Sequence, residues 1–114
     1  MDLEGMTARH PFIERDSRVV TASYVSQEDG TGCVHTAPGH GQEDYLTGKK
    51  HGLELIMPVD ARGNFDQTCG KFSGMNVHKA NDEIIAHMKE NGSLVMSDNI
   101  GHSYPHCWRC KRPI

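Results

Sequence analysis

The sequence predicts a mostly β fold with a few helices, arranged as a small barrel-like twisted sheet that is decorated by helices. Short β-branched and aromatic runs alternate with Gly-, Pro- and Asp-containing turns, which is typical of short strands. Two other segments carry helix start and stop residues. The 114 residues contain no repeat, low-complexity tract or Pro/Ser-rich linker. Residues 1–114 are therefore expected to form a single domain that buries roughly two-thirds of its surface.

Four segments have the composition of strands. Residues 18–25 are rich in valine, threonine and tyrosine, and the shorter runs 33–36, 53–59 and 94–96 are also β-branched or aliphatic. Pro58 restricts the third of these segments to a sheet edge or a strand end, because proline cannot donate a ladder hydrogen bond.

Two segments are predicted to be helical. Residues 42–51 form the first helix, with Gly52 at its stop position and Gly48 weakening the prediction by about 1 kcal/mol. The second helix spans 81–91, with Asn81 as its N-cap, acidic residues in its first turn and a glycine after its end.

Composition and charge exclude several classes of protein. A formal net charge of −3 argues against a generally basic protein that coats nucleic acid. No apolar run approaches the ~18 residues of a membrane span, and the first residues do not resemble a signal peptide. Four cysteines are too few for a secreted disulfide scaffold of this length. We therefore expect a cytoplasmic chain with reduced thiols and no membrane contact.

The segment 30–45 carries the residues best suited to chemistry. A predicted strand delivers His35 to a Pro/Gly-rich turn, after which the first helix begins and places Asp44 in its first turn. Free N–H groups at a helix start favour an anionic or carbonyl oxygen, so this pattern indicates a polar ligand site. Alternatives remain open at this point: His35 as a structural histidine, Glu43 and Asp44 as partners of the helix dipole, or His35, His40 and Asp44 as metal ligands.

Cys107 and Cys110 have the two-residue spacing of half a zinc site. His102 and His106 are two further ligands that would complete a local set of four. The plain alternative is a pair of free thiols.

Two long motifs resemble the editing domain of isoleucyl-tRNA synthetase of the bacterial type. The first is Gly30-Thr-Gly-Cys-Val-His-Thr-Ala-Pro-Gly-His-Gly-Gln-Glu-Asp-Tyr45, and the second is His102-Ser-Tyr-Pro-His-Cys-Trp-Arg-Cys-Lys-Arg-Pro-Ile114. Similarity between them, at Gly52-Leu53 and Pro58-Val59-Asp60, extends the resemblance over nearly the whole chain. Related valyl and leucyl enzymes keep the Gly-Thr-Gly and the aspartate, but usually not the His-Thr-Ala-Pro-Gly-His-Gly run.

The resemblance implies that the chain is a fragment of a long class I synthetase. That family's editing insert is a β-barrel decorated by helices, and it hydrolyses valine wrongly attached to isoleucine tRNA. The motifs of the catalytic domain are missing from these residues, so ATP and Mg²⁺ would be used only in that absent domain. The implied partners are the 3′ end of mischarged tRNA(Ile) and the remainder of the synthetase chain, and the fragment is expected to be monomeric.

The resemblance also assigns roles to individual residues. Asp44 matches the aspartate that anchors the α-ammonium group of the misattached amino acid, and His35 matches the histidine that limits the pocket size. A water molecule, rather than a side chain, is the expected nucleophile. The family's threonine-rich pocket wall has no counterpart before residue 30, so the fragment alone is expected to be weakly active or inactive. The remaining motif positions are expected to line the substrate site: Thr36, Ala37, Pro38, Gly39, His40 and Gly41.

The C-terminal stem, residues 101–114, would carry the half zinc site. In relatives with Cys107 and Cys110, a second Cys-x-x-Cys lies upstream in the insert, and the two pairs bind structural zinc. Two rival interpretations are a small zinc-binding interaction module without hydrolytic activity and a free-standing trans-editing hydrolase.

Overall fold

A computed structural model describes residues 2–113. Two short strands are followed by two α-helices, with a 3₁₀ segment between the helices. In chain order these elements are β1 (Thr7–Arg9), β2 (Asp16–Arg18), α1 (Gln42–His51), the 3₁₀ segment (Gln67–Phe72) and α2 (Val77–Glu90).

The two strands form an antiparallel hairpin in which Ala8 pairs with Ser17. The predicted strand 18–25 is wrong beyond its first residues. After Val19, whose N–H donates to the Met6 carbonyl at 2.8 Å, the chain leaves β1 and finds no further strand partner within residues 2–113. A β-branched run forms a strand only where a neighbouring strand pairs with its backbone.

The other three predicted strands are also absent from the described part of the chain. Residues 33–36 and 94–96 have no regular structure, and the run 53–59 contributes only an isolated bridge between Val59 and Phe65. Helices are confirmed, but the barrel-like twisted sheet is not, because the one sheet within residues 2–113 has two strands. These segments have the composition of strands, but no neighbouring strand pairs with them in the described residues.

Helix α1 confirms the prediction to the residue. It spans Gln42–His51 and ends at Gly52, which has a left-handed backbone with φ of 63°. Acidic residues occupy the first turn and basic residues occupy the last, so both ends suit the helix dipole.

Helix α2 begins four residues before the predicted start. Asn76, not Asn81, is the N-cap, since its side chain accepts a hydrogen bond from the His78 N–H at 3.1 Å. Nothing in the run from Val77 to Ala80 breaks a helix, and Ala80 is completely buried. Two asparagines compete for the cap, and burial of Ala80 favours the earlier one.

The core is small and lies where the 3₁₀ segment meets α2. Phe72 is 3% exposed, and its ring packs edge to face against Phe12 and His87, with centroids 5.3 and 5.9 Å away. Accessible surface is 9694 Å², against about 6,200 Å² for a compact chain of this mass. The radius of gyration is 15.9 Å, against about 13 Å. Folding buries only about half of the unfolded chain's surface, so the predicted two-thirds is wrong.

Much of the excess surface comes from the extended segment after α2. Val95, Met96 and Ile100 are among its exposed apolar side chains. Within residues 2–113, no helix is long and apolar enough to cross a membrane.

Candidate functional site

The predicted site residues lie in a tight turn that is tied to the start of α1. The Ala37 N–H donates to Asp44 Oδ2 at 2.9 Å, and the His40 N–H donates to the Ala37 carbonyl at the same distance. Asp44 is the third residue of α1 and is half-buried. Its carboxylate therefore holds the turn against the helix. The N-cap residue of α1 is Gly41, which has no side chain that could cap the helix. Asp44 Oδ1 has no hydrogen-bond partner within residues 2–113.

Two glycines allow the turn to pack closely between α1 and the segment after it. A Cβ atom at Gly39 would lie 2.8 Å from the Ile56 carbonyl oxygen, and one at Gly48 would lie 2.7 Å from Pro38 Cγ. Both separations are shorter than van der Waals contact. Gly48 is buried inside α1, so the residue that weakened the helix prediction is the one that admits Pro38.

His35 and Thr36 precede the turn without forming a strand. His35 is exposed and Thr36 is half-buried. The predicted delivery of His35 by a strand is therefore wrong, because no neighbouring strand pairs with residues 33–36 in the described chain.

His10, which was not among the predicted site residues, interacts electrostatically with His35. Its Nδ1 atom accepts hydrogen bonds from the N–H groups of Phe12 and Ile13, at 3.3 and 3.0 Å. Burial lowers the pKa of His10, and the charges of Arg15 and His35 lower it further. His35 is therefore close enough to His10 to lower its pKa electrostatically. Only tertiary structure brings these two histidines together, and no motif or spacing in the sequence signals it.

The two best-formed clefts of the described chain are not lined by the predicted site residues. The larger, of 370 Å³, lies between residues 21–24 and the face of α1 that carries Thr47 and His51. There His51 Nε2 lies 2.9 Å from the Thr21 carbonyl oxygen. The smaller, of 240 Å³, is mostly apolar and has His10 at its rim. Residues 35–41 line neither of these two clefts.

Cys107 and Cys110 lie in a turn that two backbone hydrogen bonds stabilise. The Cys107 N–H donates to the Arg112 carbonyl at 2.8 Å, and the Lys111 N–H donates to the Cys107 carbonyl at 2.9 Å. Backbone N–H groups of Cys110 and Arg109 lower the pKa of the Cys107 thiol, and the Cys110 thiol lowers it further. A lowered thiol pKa suits a metal ligand.

The two histidines do not join this cysteine pair. His102 Nδ1 lies 2.9 Å from the Ser103 carbonyl oxygen, and His106 Nδ1 lies 2.7 Å from the Tyr104 carbonyl oxygen. Over residues 2–113, no three His, Cys, Asp or Glu side chains come together as metal ligands. The donor set fits half of a tetrahedral zinc site.

Comparison with known proteins agrees with the resemblance. A family model described as "Leucyl-tRNA synthetase, editing domain" matches residues 2–89. The isoleucine–tRNA ligase of Petrotoga mobilis is 59% identical over the whole chain, and that of Fervidobacterium pennivorans is 54% identical over 99% of it. A third, from Desulfotalea psychrophila, is 54% identical over 98%.

The chain spans about 12% of the length of each of these relatives. This small share agrees with the predicted fragment of a longer synthetase. Because the family model covers more than half of the residues, the chain belongs to the family of leucyl-tRNA synthetase editing domains, and it is similar to a segment of isoleucine–tRNA ligases over its whole length.

Proposed function

We propose that this chain is part of an isoleucine–tRNA ligase and contributes to editing, the hydrolysis of the ester bond in valyl-tRNA(Ile). The need for such a reaction is physical. An isoleucine pocket cannot strongly reject valine, which is one methylene smaller, and this synthetase is the standard example of that limit. A second site must therefore remove the wrong product.

The observation that carries the proposal is the position of the Asp44 carboxylate. One oxygen organises the turn through the Ala37 N–H, and the other has no partner in the described chain. A carboxylate held in this way can accept a charge-assisted hydrogen bond from the α-ammonium group of an aminoacyl ester. His35, exposed just before the turn, is the side chain that would limit the size of the bound amino acid.

The reaction needs no protein nucleophile. A water oxygen bonds to the ester carbonyl carbon, the bond from that carbon to the ribose oxygen breaks, and the ribose oxygen takes up a proton. The protein's contribution is to position the ester and the water. Residues 36–41 would form the wall against which the ester lies.

We infer that other parts of the enzyme complete the pocket around residues 35–41. Neither of the two clefts described above is lined by residues 35–41, and a substrate site normally encloses most of its ligand. The remainder of the synthetase chain and the 3′ end of mischarged tRNA(Ile) are therefore the proposed partners. The chain alone should hydrolyse the ester weakly or not at all, and ATP and Mg²⁺ would serve the rest of the enzyme.

Two substitutions at Asp44 test the assignment in the full-length enzyme. Asp44→Asn removes the charge but keeps an oxygen that can accept the Ala37 N–H, whereas Asp44→Ala removes both. Both variants should lose deacylation of valyl-tRNA(Ile) with isoleucine activation unchanged, and only Asp44→Ala should also loosen the turn. Glu43→Gln, an exposed neighbour, is the matched control and should edit normally. An Asp44→Asn enzyme that deacylates at the parent rate would contradict the role of the charge.

We also propose that Cys107 and Cys110 contribute two of four ligands to a structural zinc ion in the longer enzyme. The well-bonded turn and the lowered pKa of the Cys107 thiol support this. The other two ligands would come from outside this chain.

A further inference from the structure

The segment from His102 to Arg112 has a surface chemistry unlike that of the rest of the chain. Rings occur at every second residue, and the segment ends in a cluster of cations. We name it the aromatic–basic segment; its rings belong to His102, Tyr104, His106 and Trp108, and its cations to Arg109, Lys111 and Arg112.

The rings of His102, Tyr104 and His106 form an exposed row. Ring centroids are 5.3 Å apart between His102 and Tyr104, and 6.4 Å apart between Tyr104 and His106. Side chains at alternate positions of an extended chain point to the same face, which accounts for the row. Tyr104 is 52% exposed and Trp108 is 76% exposed.

Trp108 offers one open face. The Arg109 guanidinium carbon lies 5.1 Å from the Trp108 ring centroid on one side. A guanidinium stacked on an indole leaves the opposite face available for another flat group. Two backbone hydrogen bonds close the turn from Cys107 to Arg112 that carries this pair, so less backbone entropy is lost on binding.

The charge of the segment opposes that of the whole chain. Residues 99–114 contain three cations and no Asp or Glu, whereas the net charge of the chain is −3. A local cation cluster on an acidic protein attracts an anion to that place and not to the surface in general.

We propose that the aromatic–basic segment binds unpaired RNA, with bases stacking on Tyr104 and Trp108 and phosphates contacting Lys111 and Arg112. Exposed aromatic rings interleaved with cations are the recurring means of binding single strands. The inference rests on the proposed function for its partner, the tRNA, and it adds a contact surface separate from the Asp44 turn. Charge complementarity favours RNA over an apolar protein surface.

Trp108 is the only tryptophan of the sequence, so tryptophan fluorescence directly reports RNA binding at this residue. Titrating the chain, in reducing buffer, with a single-stranded RNA oligonucleotide of mixed sequence should quench tryptophan fluorescence. Double-stranded RNA should quench it less, because its bases are already stacked. Inorganic polyphosphate should not quench it. Absence of quenching by single-stranded RNA, or equal quenching by polyphosphate, would overturn the proposal.

Variants separate stacking from charge. Tyr104→Leu should weaken binding about tenfold, whereas Tyr45→Leu, at a similarly exposed tyrosine on α1, should not. Lys111→Gln with Arg112→Gln should reduce the slope of log affinity against log salt by about 1.4, since each single-strand phosphate contact contributes about 0.7. The control pair Lys79→Gln and Lys89→Gln removes the same charge from α2 and should leave the slope unchanged. Equal effects of test and control variants would overturn the proposal.

The outcome can be told apart from failure of the proposed function. Asp44→Asn should bind RNA with the parent quenching, because Asp44 lies outside the aromatic–basic segment. If single-stranded RNA quenches the fluorescence of Trp108 but Asp44→Asn does not lose editing, the editing role of Asp44 is refuted and the RNA-binding surface is supported. If Asp44→Asn loses editing but RNA quenches no tryptophan fluorescence, the editing role of Asp44 is supported and the RNA-binding surface is refuted.

Discussion

Replacing Gly48 by alanine tests whether the contact between α1 and the Pro38 turn is as close as the structure shows. An added Cβ atom would lie 2.7 Å from Pro38 Cγ and 2.8 Å from Pro38 Cβ. Alanine gains about 1 kcal/mol over glycine in a helix interior, but crowding a packed site costs about 1–3 kcal/mol. Because the proline ring is rigid and Gly48 is buried, we expect a net loss of about 1 kcal/mol.

A double-mutant cycle makes this prediction sharp. Pro38→Gly removes both contacting atoms, so Gly48→Ala should become stabilising in that background by about 1 kcal/mol, the helix-propensity gain alone. The free energy of unfolding of all four chains is measured by urea denaturation with circular dichroism. Stabilisation by Gly48→Ala in the parent chain would refute the reasoning, since it would mean that Pro38 does not pack on α1.

Three further predictions concern His35, His10 and the cysteine pair. His35→Ala in the full-length enzyme should extend hydrolysis to correctly charged isoleucyl-tRNA(Ile), because the proposed pocket would lose the ring to which we assign the limit on its size. Unchanged isoleucyl-tRNA(Ile) in a deacylation assay would contradict this assignment. The pKa of His10 is lowered in the folded chain, so the folded state binds fewer protons than the unfolded state. The free energy of unfolding should therefore fall as the pH drops below the ordinary histidine pKa of about 6.5. His10→Asn, whose side-chain oxygen can accept the same N–H groups, should unfold in urea with less dependence on pH, and an unchanged dependence would contradict the role of His10. Zinc should bind this chain weakly and be lost in Cys107→Ser, whereas a longer chain carrying an upstream Cys-x-x-Cys should bind it tightly; tight one-to-one binding by this chain, measured by metal analysis, would contradict the half site.

Local hydrogen bonding explains which elements could be predicted. Helix α1 and its stop at Gly52 depend on groups within a few residues of one another, and both were predicted correctly. The predicted start of α2 was wrong because Asn76 and Asn81 are both suitable N-cap residues. The burial of Ala80 favours Asn76. Strand segments were predicted from composition alone, and composition does not supply a pairing partner.

The sequence by itself determined the family, since the motif around His35 and Asp44 and the cysteine motif occur in order along the chain and the relatives match it throughout. Tertiary structure alone decided the rest of the site. It joined Asp44 to Ala37, placed Pro38 on Gly48 and brought His10 near His35. It also left the predicted strands unpaired, since sheets and pockets form between distant segments, and the interactions that make them are not encoded in any one stretch of residues.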